Sequence, residues 1–367
     1  MSPRAEKKKV LWITNNAAPY RVPVWTALAE HTDLQIRLLQ PDEEVRSESR
    51  RSEEWTAAQA RSSDLDIASL RTYRFGGGER LYYALTESAD ELARSCDSIL
   101  LGAWESPACW QLSLAAKSRG VRRVGFYEST RMSQRHQSGP VARARSHFFR
   151  SMDAVVVPGT AAADALLDLG VSRERIIEGF NAVDVERFAA VAGIAPLTEG
   201  HRFVYIGQLI SRKNVAGLVQ AFARCGAPDD MLDVAGDGEQ LSELRSLAKE
   251  VGRAESIRFV GRVAYNDLPA FLSTQHTLVL PSHEEVWGLV VNEALAAGRH
   301  VVVSDRAGVA PSVRSMRGVF VSSPAVDDLV AAMTSSRRTW QSPMMAHEIL
   351  QFTPRRFSNA FLEALVS

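Results

Sequence analysis

An α/β protein made of two doubly wound parallel sheets in series is the fold class that this chain of 367 residues predicts. Three observations carry the prediction. Short β-branched apolar runs alternate with helical stretches, the alternation breaks off and restarts once, and the length exceeds what one hydrophobic core organises.

The runs of the first half are VLWIT from residue 10, LQIRLL from 34, SILLGAW from 98, VRRVGFY from 121 and AVVVPG from 154. Those of the second half are RFVYIGQL from 202, MLDVAGDG from 231, SIRFVGRV from 256, HTLVLPS from 276, RHVVVSD from 299 and RGVFVSS from 317. Bounded by turn residues and separated by helical stretches, they read as strands of stacked βαβ units. Between the halves, GFNAVDVERFAAVAGIAPLTEG (179–200) is rich in Ala, Gly and Pro and has no strong period, which puts a linker at about 185–200.

Apolar residues make up 46% of the chain, enough for two cores, and Lys plus Arg balance Asp plus Glu at 43 each. That balance disfavours a nucleic-acid partner held by a whole-surface field and leaves small or locally charged partners. Cys96, Cys109 and Cys225 are far apart and odd in number, which fits a reducing compartment with neither disulfides nor structural zinc. Only about five apolar residues follow Lys9 before the polar TNN, too few for a signal peptide or membrane span, so a cytoplasmic protein is expected.

Three segments read as surface. Residues 41–66 are charged with little apolar pattern, and FGGGER (75–80) reads as a mobile turn; both fit either solvated loops or an acceptor-side lid. DLD (64–66) lies in this charged stretch and reads as surface rather than as a metal site. From Arg131 to Ser151 the chain carries five arginines, two histidines and no acid. That run fits a phosphate-bearing acceptor, a peripheral membrane contact or a solvated basic helix face.

The densest chemistry is in PSHEEVWGLVVNEALAAGRHVVVSD (281–305). Pro281 stops a strand, GLVVNEALAA is helical, and Gly298 ends the helix. Glu285 therefore belongs to a strand-to-helix loop and Glu293 to the helix, roughly 10 Å apart at 1.5 Å rise per residue. That is too far to flank one scissile bond as in a retaining glycosidase, where about 5 Å is needed. One small ligand can touch both. Between them, Trp287, Gly288, Leu289 and Val290 open the helix, where unpaired N–H groups and the dipole favour phosphate. Taken alone, these residues describe a nucleotide-binding α/β protein.

With this framework the sequence resembles glycosyltransferase family 4, retaining enzymes of the GT-B fold that use nucleotide-diphosphate sugars. The resemblance rests on Glu285, seven residues, Glu293, and on FVYIGQLISRKNVAGLVQAF from 203, VAGDGEQLSEL from 234, IRFVGRVAYNDLPAFL from 257 and VVVPGTAAADALLDLGVSRERIIEGFNAVDVERF from 155. NNAAPYRVPVW extends it more loosely into the N-terminal half.

The resemblance implies two Rossmann-like domains facing across a cleft: an acceptor-binding domain at 1–188, a donor-binding domain at 189–345, and a C-terminal helix within 346–367 packing back on the first domain. It implies that Glu293 binds the ribose hydroxyls, that Glu285 binds a donor sugar hydroxyl, and that the backbone of Trp287 to Val290 holds the diphosphate. Lys213 matches the phosphate-binding lysine, and Gly261, Arg262 and Val263 match a base-contacting turn. GDG (236–238) fits that edge equally well as a plain turn. Gln208, beside Gly207, stands where the family commonly has Arg, so adjacent Arg212 is the candidate replacement.

On the acceptor side the candidates are Asn15, Asn16, Arg21, Glu105 and Glu128. Glu128 stands where many members have His, and it fits equally an ion pair with an arginine of the basic run. The implied reaction is front-face transfer with no protein nucleophile, no metal and no cofactor beyond the nucleotide sugar. An epimerase or hydrolase on a similar fold would instead form product from the donor alone. A catalytically idle binding protein would have no need of Lys213, Glu285 and Glu293 together.

Overall fold

The computed structural model describes residues 7–40, 64–77, 80–196 and 198–366. The charged segment lies outside the described residues as far as residue 63, and so do residues 78 and 79 of the glycine-rich turn. The chain divides into two compact units, Met1–Asn181 with Pro354–Ser367, and Ala182–Thr353.

The first unit holds β1 (Lys9–Thr14), α1 (Val22–Ala29), β2 (Asp33–Leu38), β3 (Asp66–Ser69), β4 (Thr72–Gly77), β5 (Arg80–Leu85), α2 (Ala89–Arg94) and β6 (Ser98–Leu101). It continues with α3 (Pro107–Ser118), β7 (Arg122–Phe126), α4 (Gly139–Arg150), β8 (Ala154–Val157), α5 (Thr160–Asp168) and β9 (Ile176–Glu178). Seven strands form a parallel sheet in the order β3-β2-β1-β6-β7-β8-β9, and β4 and β5 form a separate antiparallel hairpin. Some of the strands read from sequence, such as β6 and β8, are buried along their whole length and so are largely apolar. The hairpin occupies much of the stretch read as a mobile turn: Phe75 of β4 packs on Tyr82 of β5 at 5.7 Å.

The second unit holds α6 (Val185–Ala189), β10 (Arg202–Ile206), α7 (Val215–Cys225), β11 (Met231–Ala235), α8 (Leu241–Glu250), β12 (Ile257–Gly261), α9 (Leu268–Ser273) and β13 (Thr277–Leu280). It ends with α10 (Leu289–Ala296), β14 (His300–Ser304), α11 (Ala310–Val313), β15 (Val319–Ser322) and α12 (Val326–Thr339). Its parallel sheet runs β12-β11-β10-β13-β14-β15. Phe203, Leu218, Phe222, Val234, Val302 and Met333 form part of the core beneath it. The stretch expected to be a linker starts inside this unit, because Val185 and Phe188 of α6 are buried and Phe188 packs edge-on against Tyr265. The unit boundary therefore comes earlier than residue 188.

The last helix, α13 (Pro354–Val366), belongs to the first unit. Phe357, Phe361, Ala364 and Leu365 are buried, and Phe361 lies 4.6 Å from the Trp12 ring of β1. Gly179 makes that approach possible, since a Cβ there would stand 2.5 Å from the Phe357 ring.

In both sheets the strand order reverses once, between β1 and β6 and between β10 and β13. A doubly wound sheet binds ligands beyond the carboxyl ends of its strands at such a switch point, because the loops there diverge and leave a crevice.

Candidate active site

The loop after β10 carries Lys213 and the loop after β13 carries Glu285, so the two strands flanking the switch point deliver both. Lys213 closes a short 3-10 turn, Ser211–Lys213, and its ammonium donates to Glu285 Oε2 in an ion pair largely removed from solvent. The neighbouring backbone ties the loops together: His283 N–H donates to Arg212 O at 2.9 Å. The far side of the Glu285 loop is held by Gly308 N–H on Glu285 O at 3.0 Å and Val309 N–H on Trp287 O at 3.1 Å. The Arg212 side chain is half-buried and makes no hydrogen bond or ion pair among the described residues.

Gly288 precedes α10 with φ 100° and ψ 60°, and no side chain caps the helix. A Cβ at Gly288 would stand 2.7 Å from Leu280 Cδ2, so glycine answers both the left-handed backbone and the tight fit. Gly288, Leu289 and Val290 remain half-buried, with the first N–H groups of the helix unused by any cap. Trp287 is buried, and its indole N–H donates to Asn292 Oδ1 at 3.3 Å.

Glu293 is 7% exposed, and its side-chain carboxyl has no hydrogen-bond partner among the described residues. Burial pushes its carboxyl up to about 7, partly offset by the Arg187 guanidinium. Arg187, on α6, is held by Asn266 Oδ1 at 2.8 Å and lies over the Tyr265 ring at 4.8 Å. A buried carboxylate without a partner is costly, and a ligand hydroxyl can supply the missing hydrogen bond.

The turns after β10, β11 and β12 meet at one edge of this site. Gly207 N–H donates to Ala235 O at 3.0 Å, Gly236 N–H to Gly261 O at 2.7 Å, and Arg262 pairs with Asp237 at 3.4 Å. Val263 follows Arg262 directly in that exposed turn. The GDG glycines have a packing reason: a Cβ on Gly236 would fall 1.8 Å from Gly207 O, and one on Gly238 would fall 2.3 Å from Leu209 O. Tyr205, buried on β10, donates its hydroxyl to Gln208 O at 2.7 Å and so shapes the turn while the Gln208 side chain stays exposed. Sequence reading passed over Tyr205 and Arg187. The only local signal was a polar-tipped aromatic in an aliphatic strand for the first, and there was none for the second.

In the first unit, Asn15 and Asn16 follow β1, Glu105 follows β6 and Glu128 follows β7. Arg21 is buried with its guanidinium 4.7 Å from the Phe126 ring, and it donates to Glu128 Oε1 at 3.0 Å. Glu128 also accepts from Asn181 Nδ2 at 3.4 Å. The arginine that pairs Glu128 is thus Arg21, brought over by the neighbouring loop, and not one from the basic run. Glu105 is exposed at the start of α3. Within the run, Arg131 pairs with Asp168, while Arg145 is buried over Trp104 at 5.4 Å and donates to His136 O at 2.6 Å. Arg135, Arg143 and Arg150 are exposed.

Among the described residues no helix is long and apolar enough to cross a membrane, and no group of three or more His, Cys, Asp or Glu has metal-ligating geometry.

Residues 194–343 match the family profile described as glycosyl transferases group 1. The chain is 30% identical over 236 residues to the lipopolysaccharide core biosynthesis glycosyltransferase LpsE of Rhizobium meliloti, covering 61% of this chain and 67% of the relative. It is 30% identical over 204 residues to glycogen synthase of Mycobacterium tuberculosis, covering 54% of this chain and 49% of that protein, so it spans about half the length of that relative.

Among solved structures it is similar to the lipopolysaccharide outer core galactosyltransferase WaaB in its apo form, with TM-score 0.71 and 15% identity over 97% of this chain and 99% of the other. It is also similar to Anabaena HepE in complex with UDP and glucose, with TM-score 0.69 and 18% identity over 97% of this chain and 94% of the other. These likenesses assign the fold as GT-B, two Rossmann-like units each built on a parallel sheet. On the matched profile and the shared identity with LpsE, this chain belongs to the group 1 glycosyl transferases.

Proposed function

We propose that this protein, as a member of glycosyltransferase family 4, transfers a sugar from a nucleotide-diphosphate sugar to a hydroxyl of a glycan, lipid-linked or natural-product acceptor, with retention. The observation that carries the reading is the meeting of Lys213 and Glu285 at the switch point, beside the uncapped start of α10 and the unpartnered carboxyl of Glu293.

Each element has a chemical task. The N–H groups at Trp287 to Val290 and the Lys213 ammonium hold the diphosphate, Glu293 accepts from the ribose hydroxyls, and Glu285 accepts from a hydroxyl of the donor sugar. The Arg212 side chain, without a hydrogen bond or ion pair among the described residues, adds a second cation where Gln208 lacks one. Gly207 and the turn at Gly261, Arg262 and Val263 border the base. Asn15, Asn16, Arg21, Glu105 and Glu128 serve the acceptor, with Arg21 acting through Glu128.

In the transfer, the acceptor oxygen bonds to the anomeric carbon on the face from which the diphosphate departs. The leaving diphosphate oxygen takes the acceptor's proton, so no side chain need act as nucleophile. Charge growing on that oxygen is stabilised by Lys213 and the helix start, which supports a reaction independent of a metal or other cofactor. The protein works in the cytoplasm, and the exposed arginines of the basic run offer a peripheral contact with an anionic membrane or acceptor.

The test is a thermal-shift panel of UDP- and GDP-sugars. A cognate donor raises the midpoint through linkage, and failure of every nucleotide sugar to do so at millimolar concentration would sink the reading.

A further inference from the structure

We infer that Asn214 is a positioning residue for this site: its side-chain amide clamps the turn that carries Lys213 to the loop that leads to Glu285. The inference rests on the reading of the site given above.

Asn214 adopts φ 55° and ψ 37°, a left-handed conformation that an L side chain takes at a cost glycine would avoid. It occupies the N-cap of α7, where asparagine ordinarily bonds its own helix, yet it makes no such bond. Instead its Nδ2 donates to Pro281 O at 3.1 Å and to Pro324 O at 2.9 Å. Only the amide nitrogen, with two N–H groups, can serve two carbonyls.

Those carbonyls belong to the segments leaving β13 and β15. Pro281 opens the loop that reaches Glu285, and Pro324 precedes α12. The clamp is the second of two stitches around Lys213; the first is Arg212 O, which accepts from His283 N–H. Room for it comes from Gly217, one turn into α7, where a Cβ would stand 2.5 Å from Asn214 Oδ1. The helix itself is anchored by Val215, Leu218, Val219 and Phe222, all buried, so the amide adds little to that packing. What it determines is the distance between the two loops, and hence where the lysine ammonium stands.

Two substitutions perturb the clamp by different routes. Asn214→Gly keeps the left-handed backbone and removes the amide. Gly217→Ala favours the helix but drives a methyl into the amide. The first readout needs no substrate: acetylation of Lys213 by acetic anhydride, followed by peptide mass spectrometry. Lys213 is buried and ion-paired in the intact protein, and loss of the two hydrogen bonds should raise its labelling rate about tenfold in both variants.

The second readout is donor-only hydrolysis of whichever of UDP-glucose, UDP-galactose, UDP-N-acetylglucosamine and GDP-mannose the unaltered protein turns over. There Asn214→Gly should lower kcat about tenfold with a smaller change in KM, and should slow Lys213→Ala protein no further, since it acts through that lysine. Unchanged Lys213 labelling in both variants, or full additivity of Asn214→Gly with Lys213→Ala, would overturn the inference. An unaltered protein that binds none of the four donors would count against glycosyl transfer, and the labelling arm would still decide the clamp.

Discussion

Lys213 and Glu285, 72 positions apart in the chain, form a direct ion pair with side chains only 11% and 14% exposed. A buried pair gains little net stability over apolar residues, because desolvating two charges offsets their attraction. Its consequence lies in what each partner can bind. The ammonium and the carboxylate satisfy one another, and on the proposed reading a nucleotide sugar would exchange that bond for one to phosphate and one to a hydroxyl.

That exchange separates the two halves of the donor. Glu285→Gln should weaken the cognate nucleotide sugar about tenfold or more, the effect of a lost charge-assisted hydrogen bond. The same change should leave the nucleoside diphosphate, which lacks the sugar, within about threefold or bind it tighter, because Lys213 is released. Calorimetry with both ligands measures the difference. Equal losses for the two would remove the sugar contact from Glu285.

Glu293 sets a pH dependence of opposite sign for stability and for binding. Its carboxyl stands at about 7 in the folded protein against an ordinary value of 4.5, so the folded form holds the proton more tightly. Stability from this group is fully present below pH 4.5 and is lost as pH rises to 7 and beyond, at a cost of about 3 kcal/mol when ionised. Glu293→Gln should therefore raise the melting temperature at pH 8 and leave it nearly unchanged at pH 4.5. Donor affinity should increase from pH 6 to 8 as the carboxylate forms, and the nucleotide sugar is the ligand of choice because its diphosphate diester does not titrate there. A flat profile that persists in Glu293→Gln would exclude Glu293 from the site.

Lys213→Ala should lower kcat more than it raises KM, since its charge counts most as the diphosphate leaves. Arg212→Ala should behave similarly if Arg212 supplies the second cation. Arg135→Ala, Arg143→Ala and Arg150→Ala should leave donor-only hydrolysis within about twofold, as substitutions of exposed residues in the unit that does not carry the donor loops. Arg131 and Arg145 are unsuitable probes because one is paired with Asp168 and the other is buried over Trp104. Loss of donor hydrolysis in the three exposed mutants, to the degree seen for Lys213→Ala, would contradict an acceptor role for the run.

At the opposite, amino-terminal end of the second sheet, burial holds His201 down to about 3 and His276 down to about 4. Their rings stack at 4.7 Å, and His276 Nδ1 accepts from Arg202 N–H at 2.9 Å. Both are neutral in the fold and protonate near 6.5 when unfolded, so stability is lost as pH falls below 6.5, by about 2 kcal/mol per histidine at pH 5. Urea unfolding of Glu293→Gln protein at pH 7 and pH 5 isolates this contribution from the opposing one. Adding His276→Asn, which keeps an acceptor and removes the titration, should reduce the loss at pH 5 by about 2 kcal/mol, the rest falling to His201, His300 and His347, which burial also holds down; an unaltered loss would place the proton uptake elsewhere.

Much of this molecule was legible because its constraints are local. Parallel strands covered on both faces must be largely apolar along their length, so β1, β6, β8, β10, β11, β13 and β14 stand out in the chain. The short edge strand β9, the polar edge strand β3 and the exposed strand β4 of the hairpin lack that signature, and the sequence alone does not mark them as strands. Glu285, Gly288 and Glu293 fall within one strand-loop-helix stretch, whose spacing the backbone geometry alone translates into a candidate ligand site.

Partnerships across the chain were not legible in this way. Lys213 meets Glu285, and Asn214 reaches Pro281 and Pro324, because the strand order puts β10 beside β13, with β14 and β15 beyond. Glu128 found Arg21 rather than an arginine closer in sequence, because the loop after β1 comes past the carboxyl end of β7. The GDG glycines admit a turn in any βα unit, and only the approach of Gly207 and Leu209 shows what their missing side chains make room for. Local periodicity determines which segments become strands and which faces they bury. It carries no record of strand order, and strand order is what brings loops distant in sequence to a common edge.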